Sequence, residues 1–550
     1  MFTLAGKSPL DYGTLYDSFQ NTLKKYPDRP AYKIPAKKGR AYYANGFEIS
    51  WQQVNVQVQK YLTLYKKSGF RKGNRVAILF NQRPEFFYHF LALNSLGVSV
   101  VPINPDYKTP EIAYLLEHSE PKLVVSLSDR LDEIRNIDFV RRSNLPCISL
   151  DFFDGSIPEM PVSEFERGQV DAKTEAVILY TSGTTGRPKG CILTNEYFHT
   201  FATCYLSSGG LLNLNDPNEV LYNPLPLHHA NCLSICVPTL LLTGGCLVFP
   251  ERFHASTWWQ DILDCEVTVV HMQGIVPNIL LKLPVNKIER SHKVKFGLCA
   301  GIEPNQHEIF EKRFSFPVVE MWSMTEAGRF ITDNFEPRKI RTRAFGRSVP
   351  GIEAKVCGPQ NQFLGPNTPG ELVIRNNATE PRKGFFSGYL KDSNATEEAW
   401  AAGWFHTGDT VYFDDDGMFY FMDRMKNIIR RAGENIAAAE IETCITKHDK
   451  VKQVAVIAVE DEIREEDVMA CIVLQGRYQG SEEIALEIFE WSKEYLAYFK
   501  LPAWILFVDN LPIGTSQKVQ KVNLFPKGLD PRKEPNVIDM RSLKKKGVNT

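Results

Sequence analysis

The chain contains no Cys-x-x-Cys pair, and its eleven cysteines, among them Cys147, Cys191, Cys232, Cys236 and Cys299, follow no regular spacing. That pattern excludes a zinc ribbon or a disulfide framework and fits reduced thiols. No group of His, Cys and carboxylate residues has metal-ligand spacing. Net charge is all but absent: 64 Lys and Arg stand against 65 Asp and Glu, leaving a formal charge of −1. Nothing in that balance draws the chain to nucleic acid or an anionic membrane. The first residues, MFTLAGKSPLDYG, lack the basic start and long apolar core of a secretory signal, so a cytoplasmic location is expected. Without an export signal, the Asn-Ala-Thr tripeptides at Asn377 and Asn394 are not read as glycosylation sites. Internal repeats and low-complexity tracts are missing as well.

Charge is also missing from one long stretch. Between Val220 and Pro250 there is no Asp, Glu, Lys or Arg, a length that would reach across a bilayer. The His228-His229 pair, Asn231, Pro238 and the Gly244-Gly245 turn interrupt it. It therefore reads as a buried helix, a turn and the buried strand CLVF, and no transmembrane segment is expected.

What is present is a chain of 550 residues, 43% of them hydrophobic, which is too long for one core and implies at least two domains. RVAILF (Arg75 to Phe80), EFFYHFLALNSLG and VSVVPIN repeat a strand, helix, strand rhythm. In KTPEIAYLLEHSEPKLVVSL, Thr109 is placed to cap a helix starting at Pro110, with Ile112, Leu115 and Leu116 on one face; Pro121 ends it before a buried strand. The expected fold is α/β: a large, multi-subdomain N-terminal domain with parallel-rich sheets. Further on, NIAAAEIETCITKHDKVKQVAVIAVED reads as helix then strand, SEEIALEIFEWSKEYLAYF as a helix and WILFVDNLP as a strand, giving a small α+β C-terminal domain. The boundary falls near DRMKNIIRRAGEN, so the expected division is 1–425, 426–525 and a tail, 526–550. The tail is rich in proline and charge, and its Lys544-Lys545-Lys546 run is expected in solvent.

The most distinctive stretch is YTSGTTGRPKG, Tyr180 to Gly190, directly after the apolar run Ala176 to Leu179. Small hydroxyl residues and glycines gather N–H and O–H donors around one concavity and Lys189 adds a cation, which suits a phosphate chain. The spacing is not that of a P-loop, and the composition is also that of an ordinary surface turn.

YTSGTTGRPKG resembles the phosphate loop of the adenylate-forming superfamily, which includes acyl-CoA synthetases, peptide-synthetase adenylation domains and firefly luciferase. Other segments resembling that family follow in its order: PLPLHHAN (Pro224 to Asn231), WSMTEAG (Trp322 to Gly328), GWFHTGD (Gly403 to Asp409), DRMKNIIRRAGENI (Asp423 to Ile436) and LPIGTSQKVQK (Leu511 to Lys521). They span nearly the whole chain. The branch with carnitine or crotonobetaine CoA ligases and short to medium chain acyl ligases is the most similar.

The resemblance implies an ATP-dependent carboxylic acid:CoA ligase working through an acyl-adenylate, with ATP, Mg²⁺ and CoA required. Thr181, Ser182, Gly183, Thr184, Thr185, Gly186 and Lys189 would cradle the β- and γ-phosphates. Thr325 would bond the α-phosphate, and Glu326 would hold Mg²⁺, a hard cation suited to oxygen ligands; in isolation Glu326 also reads as a carboxylate at a helix N-terminus. Asp409 and Arg424 correspond to ribose contacts, and Gly301, Ile302, Glu303, Trp322, Ser323 and Met324 join the nucleotide and acid pocket. Lys518 corresponds to the lysine that stabilises charge in adenylation. His229 corresponds to a gate for the carboxylate, or else is a satisfied buried histidine. Lys426 matches the hinge of a mobile C-terminal domain, whose Arg431, Ala432, Gly433 and Glu434 would serve CoA.

Four positions depart from the family pattern: Ala432 for a usual Gly, Gln517 for Gly, and Trp322-Ser323 for Tyr-Gly. Ala disfavours the positive φ that Gly tolerates, so the departures bear on thioester formation more than on adenylation. The stretch Leu225 to Cys236 has no acidic residue to bind an α-ammonium, which disfavours an amino-acid substrate. A cationic acid would want an aromatic or acidic wall, for which Trp322, Tyr222 and Glu303 are candidates, Tyr222 reading more readily as core. The alternatives are delivery of the acyl group to another acceptor, such as a carrier protein, and a nucleotide-binding protein that has lost turnover. The expected partners are the small-molecule acid, ATP and CoA; a homo-oligomer is compatible with the sequence.

Overall fold

The computed structural model describes residues 6–160, 168–181, 187–214, 216–349, 351–424, 428–512, 521–526 and 528–544, without the side chains of residues 423, 424 and 522. The chain divides into two compact units: Met1–Pro105, Leu116–Leu179 and Gly190–Asp423, and Asp106–Leu115, Tyr180–Lys189 and Arg424–Thr550. The architecture is mixed α/β, with a large N-terminal and a small C-terminal part.

Among the described residues the first unit carries three sheets. In an eight-stranded sheet, Phe296–Ala300, Val269–Gln273, Val220–Tyr222, Cys246–Val248 and Pro30–Ile34 run parallel in that order, joined at one side by the parallel Val318–Ser323. Antiparallel strands Phe330–Thr332 and Phe47–Ser50 close the two ends. A seven-stranded sheet holds Arg75–Leu79 parallel to both Ser99–Pro102 and Leu123–Ser126. Each has an apolar stretch, Val76–Leu79, Val100–Pro102 and Leu123–Val125, buried on both faces, as a parallel sheet covered on both sides requires. The third sheet is antiparallel and contains Gly370–Arg375 paired with Trp404–Phe413.

The chargeless stretch is a buried strand, Val220–Tyr222, a π-helical turn, Asn231–Cys236, the helix Val237–Thr243 and the strand Cys246–Val248. Gly244 ends the helix at φ 81, where a Cβ would strike the Tyr26 ring at 2.3 Å. Among the described residues no helix is long and apolar enough to cross a membrane. One expected cap is displaced: the helix spans Thr109–Ser119, so Thr109 lies inside it, and Glu111 reaches back to accept from the Lys108 N–H at 2.8 Å.

The second unit is a sheet ordered Glu434–Ala437, Ile428–Arg431, Glu465–Leu474, Trp504–Phe507 and Ile538–Asp539, with Val451–Asp461 paired along Glu465–Leu474. Its helices Ala438–Ile445 and Glu482–Tyr495 bury Ile441, Ile445, Ile488 and Phe489 with Ile429, Val456 and Ile472. Asn435 and Ile436, expected to open a helix, instead form the second strand of a hairpin. Lys500, only 3% exposed, sits between the carboxylates of Glu111 and Glu440 at 2.6 Å each, with its ammonium 4.5 Å from the Tyr107 ring.

Among the described residues the tail is not loose. Ile538–Asp539 is a strand, Met540 is buried, and the Lys544 side chain is 1% exposed against Asp467. The expectation of a solvated lysine fails for Lys544 because the chain turns it inward onto a buried carboxylate; Lys545 and Lys546 lie outside the described residues.

Candidate active site

The parallel strands Val269–Gln273, Phe296–Ala300 and Val318–Ser323 end along one edge of their sheet, in register at Gln273 and Ala300. The carboxyl ends of such strands are where open α/β sheets bind ligands. The loops leaving that edge carry Gly301 to Glu303 and Met324 to Glu326. Gly301 turns at φ 82. Glu320 on the adjacent strand fixes the turn, accepting from the Gly301 N–H at 2.6 Å and the Ile302 N–H at 3.0 Å. Glu303 is engaged elsewhere: Arg343 donates to both of its oxygens at 3.0 and 3.2 Å.

Trp322 is buried, and its indole N–H donates to Asp409 Oδ2 at 2.8 Å. Asp409, 3% exposed, lies in the strand Trp404–Phe413. Its segment is clamped by Glu371, which accepts from the Gly408 N–H and bonds His406 Nδ1, both at 2.8 Å. Glu371 and Glu320 were not singled out in the sequence. Each is an acidic residue inside a strand, and that is the only signal either leaves.

Glu326 is 6% exposed and accepts from the Tyr389 hydroxyl at 2.9 Å. Burial first, and then the Glu326 charge, raise the Tyr389 phenol above its ordinary range, which keeps it a proton donor. Among the described residues no cation pairs with Glu326. The segment is pinned from several sides. Tyr197 donates to the Thr325 carbonyl at 2.6 Å, the Phe386 N–H donates to the Glu326 carbonyl at 3.0 Å, and Ser323 donates to the Arg329 carbonyl at 2.9 Å. The buried Arg329 guanidinium donates to the carbonyls of Gly351, at 2.7 Å, and Lys383, and lies 4.4 Å from the Phe385 ring. Burial lowers its pKa to about 10, still charged at neutral pH. Gly328 packs so close to this loop that a Cβ would fall 1.9 Å from the Gly384 carbonyl oxygen.

His228 and His229 are half-buried, their rings 4.6 Å apart. The wholly buried histidine of this region is His271, not His229. His271 bonds Tyr205 at 3.0 Å, Asn231 Oδ1 at 3.1 Å and the Cys236 thiol at 3.3 Å, while Asn223 bonds both Asn231 and Cys236 at 3.0 Å. Burial drops the His271 pKa to about 3 and raises the thiol's, so the pair stays neutral. The network therefore fixes the Asn231 end of the π-helical turn instead of activating a nucleophile. Tyr222 is wholly buried, edge-on to Trp258 at 4.9 Å and donating to Asp261, so it forms core and not a pocket wall.

Thr181 ends the strand Glu175–Thr181 and Lys189 opens the strand Lys189–Thr194. The Arg187 guanidinium lies 5.4 Å from the Tyr114 ring, and the Tyr114 hydroxyl donates to the Pro188 carbonyl at 2.9 Å. Ser182, Gly183, Thr184, Thr185, Gly186, Lys426, Gln517 and Lys518 lie outside the described residues, as does the side chain of Arg424.

In the second unit, Ile428–Arg431 and Glu434–Ala437 form a hairpin turned by Ala432 at φ 50 and Gly433 at φ 90. Two positive φ values are what a tight two-residue hairpin needs, and Ala is strained in the first. Arg431, expected to serve CoA, turns inward: it is 5% exposed and its Nε donates to Asp467 at 2.8 Å. Its guanidinium braces the hairpin. His448, Asp449 and Glu487 come within ligating distance of one another, but the Lys450 ammonium already bonds Glu487.

The AMP-binding enzyme family model matches residues 19–390, and the model of the AMP-binding enzyme C-terminal domain matches residues 440–518. The chain is 30% identical over 492 residues to a crotonobetaine/carnitine–CoA ligase of Proteus mirabilis, covering 87% of this chain and 93% of that protein. It is 31% identical over 493 residues to the protein of the same name from Salmonella arizonae, covering 86% and 93%. Among solved structures, o-succinylbenzoate CoA synthetase from Bacillus subtilis superposes with a TM-score of 0.78 at 24% identity, covering 92% of this chain and 98% of that one. An amide bond synthetase from Marinactinospora thermotolerans gives 0.77 at 22%, with the same coverage. These two likenesses show the fold.

Proposed function

The chain belongs to the AMP-binding enzyme family, and from that premise we propose that it is an AMP-forming carboxylic acid:CoA ligase. An oxygen of the acid attacks the α-phosphorus of ATP and pyrophosphate leaves. The CoA thiolate then attacks the acyl carbon, and AMP departs with the C–O electron pair. In this reading Asp409 accepts from the ribose hydroxyls, with Trp322 fixing its orientation. Thr325 bonds the α-phosphate, and the loop from Thr181 to Lys189 holds the leaving pyrophosphate. Lys518 stabilises the charge of the first transition state, and the hairpin around Ala432 and Gly433 serves the second step.

Glu326 fits a divalent cation: a nearly buried carboxylate with one phenol donor, and no cation among the described residues, is left short of compensation. Mg²⁺ bound there would neutralise phosphate charge as pyrophosphate departs. Tyr389 holds the carboxylate in place for it.

The observation that carries the reading is that one short segment, Trp322 to Glu326, touches both acids the reaction needs. Trp322 bonds Asp409, and Glu326 lies four residues on, held by Tyr389. For the acid itself, the relatives' names favour a small carnitine-type acid. A cationic acid would be read by ring faces and dipoles, because Glu303 is engaged by Arg343 and Tyr222 is core. The test is AMP release from ATP and Mg²⁺ across neutral, cationic and aromatic acids, each with and without CoA. Acid-dependent AMP that requires CoA supports the ligase. Acid-dependent pyrophosphate release that CoA never converts to thioester overturns it in favour of another acceptor.

A further inference from the structure

The segment Ile538–Lys544 lies beyond the residues matched by either family model, and nothing in its composition marks it for function. The second unit nevertheless builds it in. Ile538 and Asp539 pair with Ile505 and Trp504 as the last strand of the sheet, and the Met540 N–H donates to the Ala503 carbonyl at 2.9 Å. Arg532 and Arg541 both lie against the Trp504 ring, at 5.6 and 5.0 Å. A turn follows, with the Lys544 N–H donating to the Arg541 carbonyl at 3.2 Å, and it drives the Lys544 side chain inward until it is 1% exposed.

There the ammonium meets Asp467. The same carboxylate oxygen, Oδ1, accepts from Lys544, from Arg431 Nε at 2.8 Å and from the Val468 N–H at 2.9 Å. Arg431 is the last strand residue before Ala432 and Gly433, so one buried carboxylate joins the end of the chain to the base of that hairpin. Burying a lysine among such groups is expensive, and apolar side chains of similar volume generally stabilise as well or better. Stability alone therefore does not account for Lys544, whereas fixing a geometry does. Ala432 sits in a backbone region that alanine resists, so the hairpin needs support from its base.

We propose that Ile538–Lys544 is a strap that sets the Arg431–Glu434 turn for thioester formation, with Lys544 as a positioning residue acting through Asp467 and Arg431. The proposal rests on the ligase reading and assigns this contribution to its second half-reaction only.

The experiment uses the full chain as wild type, Lys544→Met and Lys544→Arg. It reads acid-dependent exchange of pyrophosphate into ATP separately from single-turnover conversion of acyl-adenylate to thioester by CoA, with the thermal midpoint of each protein alongside. The strap predicts that Lys544→Met keeps exchange within about twofold of wild type, slows thioester formation at least tenfold and raises the KM for CoA, and that Lys544→Arg recovers part of the loss. Equal loss in both half-reactions, or none in either while the variants remain folded, overturns it. If Lys544→Met does not fold, Lys544→Arg decides by the same split. A wild type that exchanges pyrophosphate but forms no thioester defeats the ligase reading and the strap with it; a wild type that forms thioester and a Lys544→Met variant that matches it defeats the strap alone.

Discussion

The Trp322 indole donates to the Asp409 carboxylate across 2.8 Å, joining the end of a parallel strand to the middle of an antiparallel one. Both partners are buried, so the bond is made away from water and fixes the plane of the carboxylate. A carboxylate has about four acceptor positions, and the indole takes one of them. Under the proposed function, the bulky residue that departs from the family pattern at 322 would act on the nucleotide side of the site, through Asp409.

Trp322→Phe keeps most of the ring and deletes the donor. A hydrogen bond to a charged group is worth about 1.5–3 kcal/mol, so kcat/KM for ATP should fall by roughly tenfold or more, with KM for the acid changing less. Steady-state kinetics with each substrate varied in turn would check this, and an effect confined to the acid would place Trp322 in the acyl pocket instead.

Tyr389→Phe tests the other acid. Losing the phenol leaves Glu326 nearly buried with no donor among the described residues. The expected result is a several-fold rise in the Mg²⁺ concentration that half-activates adenylation, and about a tenfold loss in kcat/KM, corresponding to ~1.4 kcal/mol. Titrating Mg²⁺ at saturating ATP measures it; an unchanged Mg²⁺ profile would remove Glu326 as the metal ligand.

Asp409, Glu326 and Trp322 could be nominated from the sequence because each stands inside a short contiguous motif that resembles the family's. Their supports were not. Glu371 clamps Gly408 from 37 positions away, Tyr389 reaches Glu326 from 63, and Lys544 reaches Asp467 from 77. Such pairings depend on which strands become neighbours, and hydrophobic patterning does not encode that directly. The same limit explains the tail: proline and charge read as a solvated end, yet the strand at Ile538 and the turn after Met540 become favourable only once Trp504–Phe507 offers a sheet edge. The parallel α/β core was legible, since the buried runs Val76–Leu79 and Leu123–Val125 are apolar and segments with helical spacing lie between the strands.

Ala432→Gly should relieve the left-handed strain at φ 50. The left-handed region costs a residue with a Cβ about 1–2 kcal/mol, partly offset by the extra freedom glycine gains in the unfolded chain. The net expectation is a stabilisation of up to about 1 kcal/mol, seen as a small rise in the thermal midpoint of the C-terminal transition. A fall in that midpoint would mean that the methyl group packs favourably and that the turn is not strained.

Asp261 gives the clearest dependence on pH. Burial raises its pKa to about 6 from 3.8, against the smaller opposing effects of hydrogen bonds from Thr257 and Tyr222. A folded pKa above the unfolded one means that the folded state holds a proton the unfolded state has already released between about pH 3.8 and 6. This group's contribution to stability is therefore full below that window and is lost as pH rises through 6. Above pH 6 the protein keeps an ionised carboxylate in a core beside Trp258. Asp261→Asn retains an acceptor for the Tyr222 hydroxyl and removes the charge, so it should stabilise the first unit at pH 7.5 by about 1–3 kcal/mol, the upper end being the full shift converted at 1.36 kcal/mol per pH unit. At pH 4.5 most of that gain should vanish, because the wild-type group is then protonated and neutral as well. Thermal midpoints of the two proteins at both pH values check the sign: a gain at pH 4.5 equal to that at pH 7.5 would show that the substitution acts through packing and not through the charge.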